Sequence, residues 1–462
     1  MSGILADHTL TVSWSLPDPP VDAVTWKQWT SDLLLVEEPL ERDLGWPQGT
    51  LAVLGQAFRE GLPRGTGWDL KAIEHSSAYT QAARIFRRGV AVRPSDPRPQ
   101  TGHYPLSLSS HWDWGRILPK GSLGIIDQHV AEAWKLRDGP QLLVAQFDEL
   151  SKNLKSVAQL IQAANAKCLS AQLNGPWSII GGGVLADTTA FAAALASREF
   201  RLVPTTLLAM LDACVGGKTG VNFPPFGKNQ LGLFAFPSEV LILTPWLKTL
   251  PQREYLSGLS EAFKHAVLIG DSILAASVAQ LDQRPDDLPL HLRRLVQLKA
   301  DIVAQDPSEK GLRAALNLGH TLAHALERVS HARCPTHPLL HGEAVGLGLS
   351  FCLALSHELG HLSTASFQEM QTVLHRSRII MKPQQLCQFL RYDDLEDDEL
   401  IHELMLGIRQ DKKARTQHNS EWVLLADWGR VVEQAGRFTV TVTDEQVVSS
   451  YRKWVRQWQK LS

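Results

Sequence analysis

At 462 residues the chain is too long for one ordinary hydrophobic core, so two or three domains are expected. Its 46 basic and 48 acidic residues nearly cancel, leaving no global field to attract nucleic acid or an anionic membrane; any bound anion must be held locally. The five cysteines (Cys168, Cys214, Cys334, Cys352, Cys387) are odd in number, widely spread and form no CxxC pair, which argues for a reducing compartment and against a disulfide framework or a thiolate zinc site.

Residues 1–84 are rich in tryptophan and proline, lack periodicity, and read as an N-terminal extension of unknown role. MSGILADHTLTVSW shows no secretory signal, and no apolar run is long enough to span a bilayer, so a cytoplasmic protein is expected. From about residue 85 to 250 the pattern is α/β. A strand is predicted at GSLGIID (121–127), a helix in SKNLKSVAQLIQAANA, and a second strand at PWSII (176–180) that runs into GGGVLAD. An alanine-rich helix (188–197), a strand at FRLVPTT, a loop segment LDACVGGKTGVNFPPFGKNQLG and a strand at EVLILT follow. After Pro251, residues 251–462 read as helices almost throughout, with one edge strand or hairpin at GRFTVTVT (436–443). The fold class expected is therefore an α/β nucleotide-type domain followed by an all-helical domain.

Several stretches carry residues suited to chemistry. The strand–glycine–helix passage at Gly181, Gly182 and Gly183 is either a tight turn or a cradle whose backbone amides approach a pyrophosphate. Lys218, Lys228 and Asn229 put two ammonium groups and an amide on glycine-rich loops, suited to phosphate or sugar hydroxyls. Glu261 and Lys264 stand one helical turn apart, as a surface ion pair or as two groups meeting one cleft. Arg313, Asn317, His320 and His324 recur at helical spacing, predicting a polar stripe along one helix face. His320 and His324 have the spacing of a two-histidine metal clamp, to which His341 adds an imidazole and Glu261 a carboxylate.

GGGVLAD, VPTTLLAMLDACVGGKTGVN, GKNQLG, LKTLPQREYLSGLSEAFKHA, GLRAALNLGHTLAHALE, LLHGEAVGLG and RQDKK agree in order and spacing with one family. Over roughly residues 100–430 the chain resembles the 3-dehydroquinate synthases and the wider sugar phosphate cyclases. The resemblance implies a Rossmann-like NAD-binding domain, a helical metal-binding domain, and an active site in the cleft between them. It implies Glu261, His320 and His341 as ligands of a divalent metal, zinc in the family, and recasts His324 as a substrate or proton-transfer contact. Lys218, Lys228, Asn229, Lys264, Lys299, Arg313, Asn317 and Lys412 or Lys413 match substrate-contacting positions. Asp127, Lys155, Gly182, Gly183, Asp187, Thr205, Thr206 and Thr244 fall where the family holds the dinucleotide, and Asp212 is assigned both to that group and to substrate. Where the family carries an acidic residue just before Lys155, this chain has Lys152.

The activity implied is conversion of 3-deoxy-arabino-heptulosonate 7-phosphate to 3-dehydroquinate and phosphate, in aromatic amino-acid synthesis, by a homodimer. The partner is a small sugar phosphate, with no nucleic acid and no membrane. Cyclisation of sedoheptulose 7-phosphate to a valiolone, a metal-dependent alcohol dehydrogenase, and a non-catalytic descendant of the family are the alternatives.

Overall fold

A computed structural model describes residues 8–15, 101–196, 198–223, 227–281, 288–306, 309, 311–410 and 419–461. Two compact units emerge: Met1–Thr205 with Ala213–Thr249, and Thr206–Asp212 with Leu250–Ser462.

The first unit is built on a seven-stranded sheet. Its strands are β1 (His8–Ser15), β2 (Thr101–Ser109), β3 (Leu123–Asp127), β4 (Leu142–Ala145), β5 (Trp177–Gly181), β6 (Phe200–Pro204) and β9 (Glu239–Leu243), in the order β1-β2-β9-β6-β5-β3-β4. All neighbours run parallel except β1 and β2, which pair antiparallel from His8 opposite Leu108 to Ser15 opposite Thr101. β1 lies inside the stretch expected to stand apart from the α/β domain, and it supplies that domain's edge strand. β3, β5, β6 and β9 are short apolar runs because both faces of a parallel sheet are covered; Ile125, Ile126, Ile179, Ile180, Leu202, Val203, Leu241 and Ile242 are all buried.

The helices of this unit are α1 (Trp114–Ile117), α2 (Gln128–Ala133), α3 (Leu154–Ser170) and α4 (Gly183–Leu195). The segment read as a loop is in fact an antiparallel hairpin, β7 (Lys218–Phe223) with β8 (Gly227–Phe234). Its glycines hid the strand pattern.

The second unit contains α5 (Gln252–Ile269), α6 (Ser272–Val278), α7 (Leu288–Gln305), α8 (His320–Arg333), α9 (His341–Glu358), α10 (Thr364–Arg376), α11 (Pro383–Leu390), α12 (Asp398–Gln410) and α13 (Asp444–Leu461). Two small sheets interrupt the helices: β10 (Asn419–Trp422) with β13 (Val440–Thr443), and β11 (Leu425–Asp427) with β12 (Arg430–Val431). β13 lies in the predicted GRFTVTVT segment. α5 is buried almost continuously from Tyr255 to Leu268 and ends at Gly270, a left-handed C-cap. It packs against α6, α7 and α9, while α8 packs against α9 and α12.

The predicted polar-stripe helix is not continuous. Leu312–Asn317 forms a 3-10 turn, and Gly319, at φ +82°, reverses the backbone so that α8 begins at His320. A β-carbon at Gly319 would lie 2.9 Å from the Leu349 backbone nitrogen, so both conformation and space require glycine there. Among the described residues no helix is long and apolar enough to cross a membrane.

Candidate functional site

Three helices of the second unit bring Glu261, His320 and His341 together. Glu261 stands in the middle of α5, and the two histidines are the first residues of α8 and α9. Glu261 Oε1 lies 3.4 Å from His320 Nε2 and 3.6 Å from His341 Nε2, and one donor atom from each of the three residues falls within 4.8 Å of the others. Glu261 is fully buried, and neither of its oxygens has a hydrogen-bond partner. Lys264 Nζ approaches Oε2 as an ion pair and donates to the Leu316 carbonyl at 2.8 Å. Lys264 is itself fully buried, so the surface reading of the Glu261–Lys264 pair does not hold.

The second nitrogens of both imidazoles are occupied. His320 Nδ1 lies 3.1 Å from the Leu318 carbonyl, and His341 Nδ1 lies 3.2 Å from Glu327 Oε2. Each contact favours a proton on Nδ1, which leaves the Nε2 lone pair for a metal on a neutral ring and, on a charged ring, once the metal has displaced the Nε2 proton. Burial, with Lys264 beside it, pushes His320 down to about 3, so its ring is neutral. Burial also opposes charge on His341, but the Glu327 and Glu261 carboxylates outweigh it and raise that ring to about 10. For Glu261, burial disfavours the charged form, yet Lys264 and the two histidines hold the carboxyl below its usual range. Two imidazoles and a buried carboxylate whose Oε1 faces both rings form a donor set that fits a divalent cation.

A second group, Asp212, Glu261 and His265, also has donor atoms within 4.8 Å. Lys299 contacts Asp212 at both its carbonyl and its carboxylate, the latter at 2.5 Å, and Lys264 is close by. Two ammonium groups already balance these carboxylates, which argues against a second cation. Burial works against charge on Asp212, but Lys299 and Lys264 keep its carboxyl well below the usual range. Burial likewise lowers Lys299.

Arg313 is buried in the 3-10 turn, and its backbone nitrogen donates to Asp306 Oδ2 at 3.0 Å. Asn317 donates from Nδ2 to Glu309 Oε1 at 2.9 Å. His324, one turn into α8, has its ring centroid 5.5 Å from that of His320 and 6.3 Å from that of His341. Lys264, Lys299, Arg313, Asn317 and His324 thus belong to the same unit as the histidine–glutamate cluster. Lys412 and Lys413 lie outside the described residues. Glu327, His265 and Glu309 were not singled out from the sequence. Glu327 could have been, because it stands on the His320 face of α8, seven residues on.

The α/β unit carries the other candidates. Asp127, Gly181, Thr205 and Thr244 lie at or just beyond the carboxyl ends of β3, β5, β6 and β9, four adjacent parallel strands. That edge is where open parallel sheets bind ligands. Gly182 is the N-cap of α4 and no side chain caps it, so the first-turn amides of Gly183 and its neighbours are left for an anion. A β-carbon on Gly181 would lie 2.5 Å from Leu185 Cδ2, so a larger residue there would require the Leu185 side chain to shift. The Thr205 hydroxyl is buried without a partner. Asp127 Oδ1 caps α2, accepting from the His129 and Val130 nitrogens at 2.9 and 3.4 Å, a structural duty the sequence did not reveal. Lys155 is exposed in the first turn of α3. Asp187 faces Lys152 at 2.7 Å. Thr206 and Asp212 belong to the second unit, and Thr206 Oγ1 accepts from the Ala209 nitrogen at 3.1 Å. Lys218 opens β7 and is exposed, Asn229 stands on β8, and the side chain of Lys228 lies outside the described residues. The three were expected on loops and stand on hairpin strands.

Residues 142–257 match the family profile described as 3-dehydroquinate synthase N-terminal, and residues 258–414 match 3-dehydroquinate synthase C-terminal. A 3-dehydroquinate synthase of Picosynechococcus sp. is 41% identical over 238 residues, covering 50% of this chain and 63% of that protein. One of Legionella pneumophila is 44% identical over 201 residues, covering 42% and 53%, and one of Campylobacter concisus is 40% identical over 269, covering 56% and 76%. The aligned region therefore spans little more than half of the first two relatives. Among solved structures, a 2-deoxy-scyllo-inosose synthase complexed with carbaglucose-6-phosphate, NAD+ and Co2+ superposes with a TM-score of 0.60 at 19% identity, covering 76% of this chain and 97% of its own. A 2-epi-5-epi-valiolone synthase from Streptomyces hygroscopicus with NAD+ and Zn2+ bound gives 0.58 at 24% identity, covering 77% and 97%. These likenesses establish the fold: a Rossmann-like parallel-sheet domain and a helical domain.

Proposed function

Because the chain belongs to the 3-dehydroquinate synthase family, we propose that it converts 3-deoxy-arabino-heptulosonate 7-phosphate to 3-dehydroquinate and phosphate, using NAD and a divalent cation. The observation that carries this reading is the buried Glu261 carboxylate, without a hydrogen bond and faced by two imidazole Nε2 atoms. When bound, the cation would supply Lewis acidity to substrate hydroxyls and NAD a reversible hydride acceptor, the chemistry needed for oxidation, phosphate loss, reduction and intramolecular aldol closure of the sugar.

Glu261, His320 and His341 hold the cation. Two imidazoles and one carboxylate are a donor set that would suit zinc, and the bound cation would supply Lewis acidity to substrate oxygens. Lys264, anchored on the Leu316 carbonyl, keeps the Glu261 carboxylate ionised. Lys299 and Arg313 meet the substrate's anionic groups, each of which demands charge-assisted donors. Asn317, steadied by Glu309, orients a hydroxyl, and His324 carries a proton at a ring nitrogen. Lys412 and Lys413 complete the substrate contacts. In the α/β unit the Gly182 and Gly183 amides take the pyrophosphate at the α4 N-terminus, while Asp127, Lys155, Asp187, Thr205 and Thr244 address the rest of the dinucleotide. Lys218, Lys228 and Asn229 grip the phosphoryl group. All five cysteines are free thiols, in keeping with a reducing compartment. The working form proposed, on the family resemblance, is a homodimer, which light scattering checks.

The test is phosphate release by the purified chain from the heptulosonate phosphate and from sedoheptulose 7-phosphate, each with and without NAD and zinc. Release from the heptulosonate substrate that requires both additions is expected. Turnover of sedoheptulose 7-phosphate alone would replace the substrate assignment.

A further inference from the structure

Lys152 is a lysine only 3% exposed, placed just before α3 in the α/β unit. Its Nζ donates to Asp187 Oδ2 at 2.7 Å and to Asn229 Oδ1 at 2.6 Å. Its own carbonyl accepts from the Asn222 nitrogen at 2.7 Å. Asn222 in turn accepts from the Asn229 nitrogen at 2.9 Å and donates from Nδ2 to the Glu149 carbonyl and carboxylate, both at 2.8 Å. One ammonium therefore ties three segments together: the approach to α3, the first turns of α4, and the β7–β8 hairpin.

Stability alone does not account for this arrangement. A buried ammonium is costly to desolvate, and an apolar side chain of similar volume often serves the fold equally well. What the ammonium adds is orientation. Because Lys152 takes the Asn229 carbonyl oxygen, the carboxamide can adopt only one of its two flips, with its NH2 directed away from Lys152 on an exposed residue. Asn229 thereby presents its donor end rather than its acceptor end away from Lys152. Its backbone sits at φ +52°, a left-handed conformation that the bond from Asn229 N to Asn222 helps to hold. Asp187 is fixed in the same step, one of its oxygens committed to Lys152 and the carboxylate charge balanced beside the cradle intended for a pyrophosphate.

We infer that Lys152 is a positioning residue, which sets the Asp187 carboxylate for the dinucleotide and the Asn229 amide for the substrate's anionic oxygens. This rests on the functional reading above. It acts on the affinity for both ligands and leaves the chemical step alone.

The test compares K152M, K152R and wild type in the full-length chain by NAD dissociation constant from tryptophan quenching, KM and kcat for the heptulosonate phosphate, zinc content, and melting temperature. K152M is expected to weaken NAD binding and raise KM by about tenfold each, the loss of one charge-assisted hydrogen bond. Its saturated kcat should stay within about threefold of wild type, with zinc unchanged, and K152R should restore both affinities. In an N229A background the KM effect of K152M should vanish, because Lys152 would have no carboxamide left to orient. Wild-type affinities in K152M, or an equal KM effect with and without Asn229, overturn the inference. If K152M does not fold, K152Q takes its place; it is polar, uncharged and one bond shorter, so it loses both charge-assisted bonds and is held to the same outcomes. A wild-type chain that releases no phosphate from the heptulosonate substrate refutes the functional reading instead, and the NAD dissociation constant then decides the Asp187 half alone.

Discussion

His341 meets a carboxylate at each ring nitrogen, Glu327 at Nδ1 and Glu261 at Nε2. Only the second is a direct ligand candidate; the first fixes which nitrogen carries the proton and how the ring is aimed. Glu327→Gln keeps the shape but weakens that acceptor, so zinc affinity should fall by about 10–100-fold, read by competition with a chromophoric chelator; an unchanged affinity would show that the ring is held in another way. His320→Ala should lose metal and turnover together, whereas Arg313→Ala should keep one zinc per chain and raise KM. Metal analysis beside steady-state kinetics separates the two, and stoichiometric zinc in His320→Ala would refute the ligand set. At this scale the sequence was legible wherever a spacing or a motif marked a residue, as at Glu261, His320 and His341. The Lys299–Asp212 contact joins residues 87 positions apart, and although each had been marked by resemblance, no local pattern shows that they meet. His265 was missed because a histidine inside an apolar helix carries no periodic signal.

At the level of elements, the cluster depends on how closely α9 approaches α5. A β-carbon at Gly342 would fall 1.8 Å from the Ser257 carbonyl oxygen, so the helices touch backbone to backbone one residue after His341 and one turn before Glu261. Gly342→Ala forces the two apart and should cost about 3 kcal/mol of stability, the upper end for overpacking, with a matching drop in zinc affinity. Urea unfolding and metal titration of the variant check this; wild-type values for both would mean that the helices separate without consequence. The strands β3, β5, β6 and β9 were readable because buried parallel strands are short uninterrupted apolar runs. The β7–β8 hairpin was not, because Gly216, Gly217 and Gly220 look like loop, and pairing between strands is not a local property. The polar stripe failed for the opposite reason. Its spacing fits a helix across Gly319, but periodicity says nothing about a backbone that turns left-handed at one residue.

For the whole molecule, two units divide the inventory: the carboxyl edge of the sheet with its glycine cradle in one, and the histidine–glutamate cluster with its lysines in the other. The division into an α/β and a helical part was legible from the change in pattern after Pro251, whereas the return of Thr206–Asp212 to the helical unit was not, since seven residues carry too little pattern to declare their allegiance. A chain in which residues 16–100 are replaced by Asn-Gly, a dipeptide suited to a two-residue β-turn, should still bind NAD and zinc and should melt no lower than the parent. Calorimetry with both ligands checks it, and loss of NAD binding would show that the sheet needs what was removed.

That expectation comes from the register of the two edge strands. Ser15 lies directly across from Thr101, so the polypeptide leaves the sheet and rejoins it through neighbouring doorways, close enough for a two-residue turn to join them. Where two exits stand side by side, the pairing of the edge strands sets no length for what runs between them, and a longer or shorter join leaves their register unchanged.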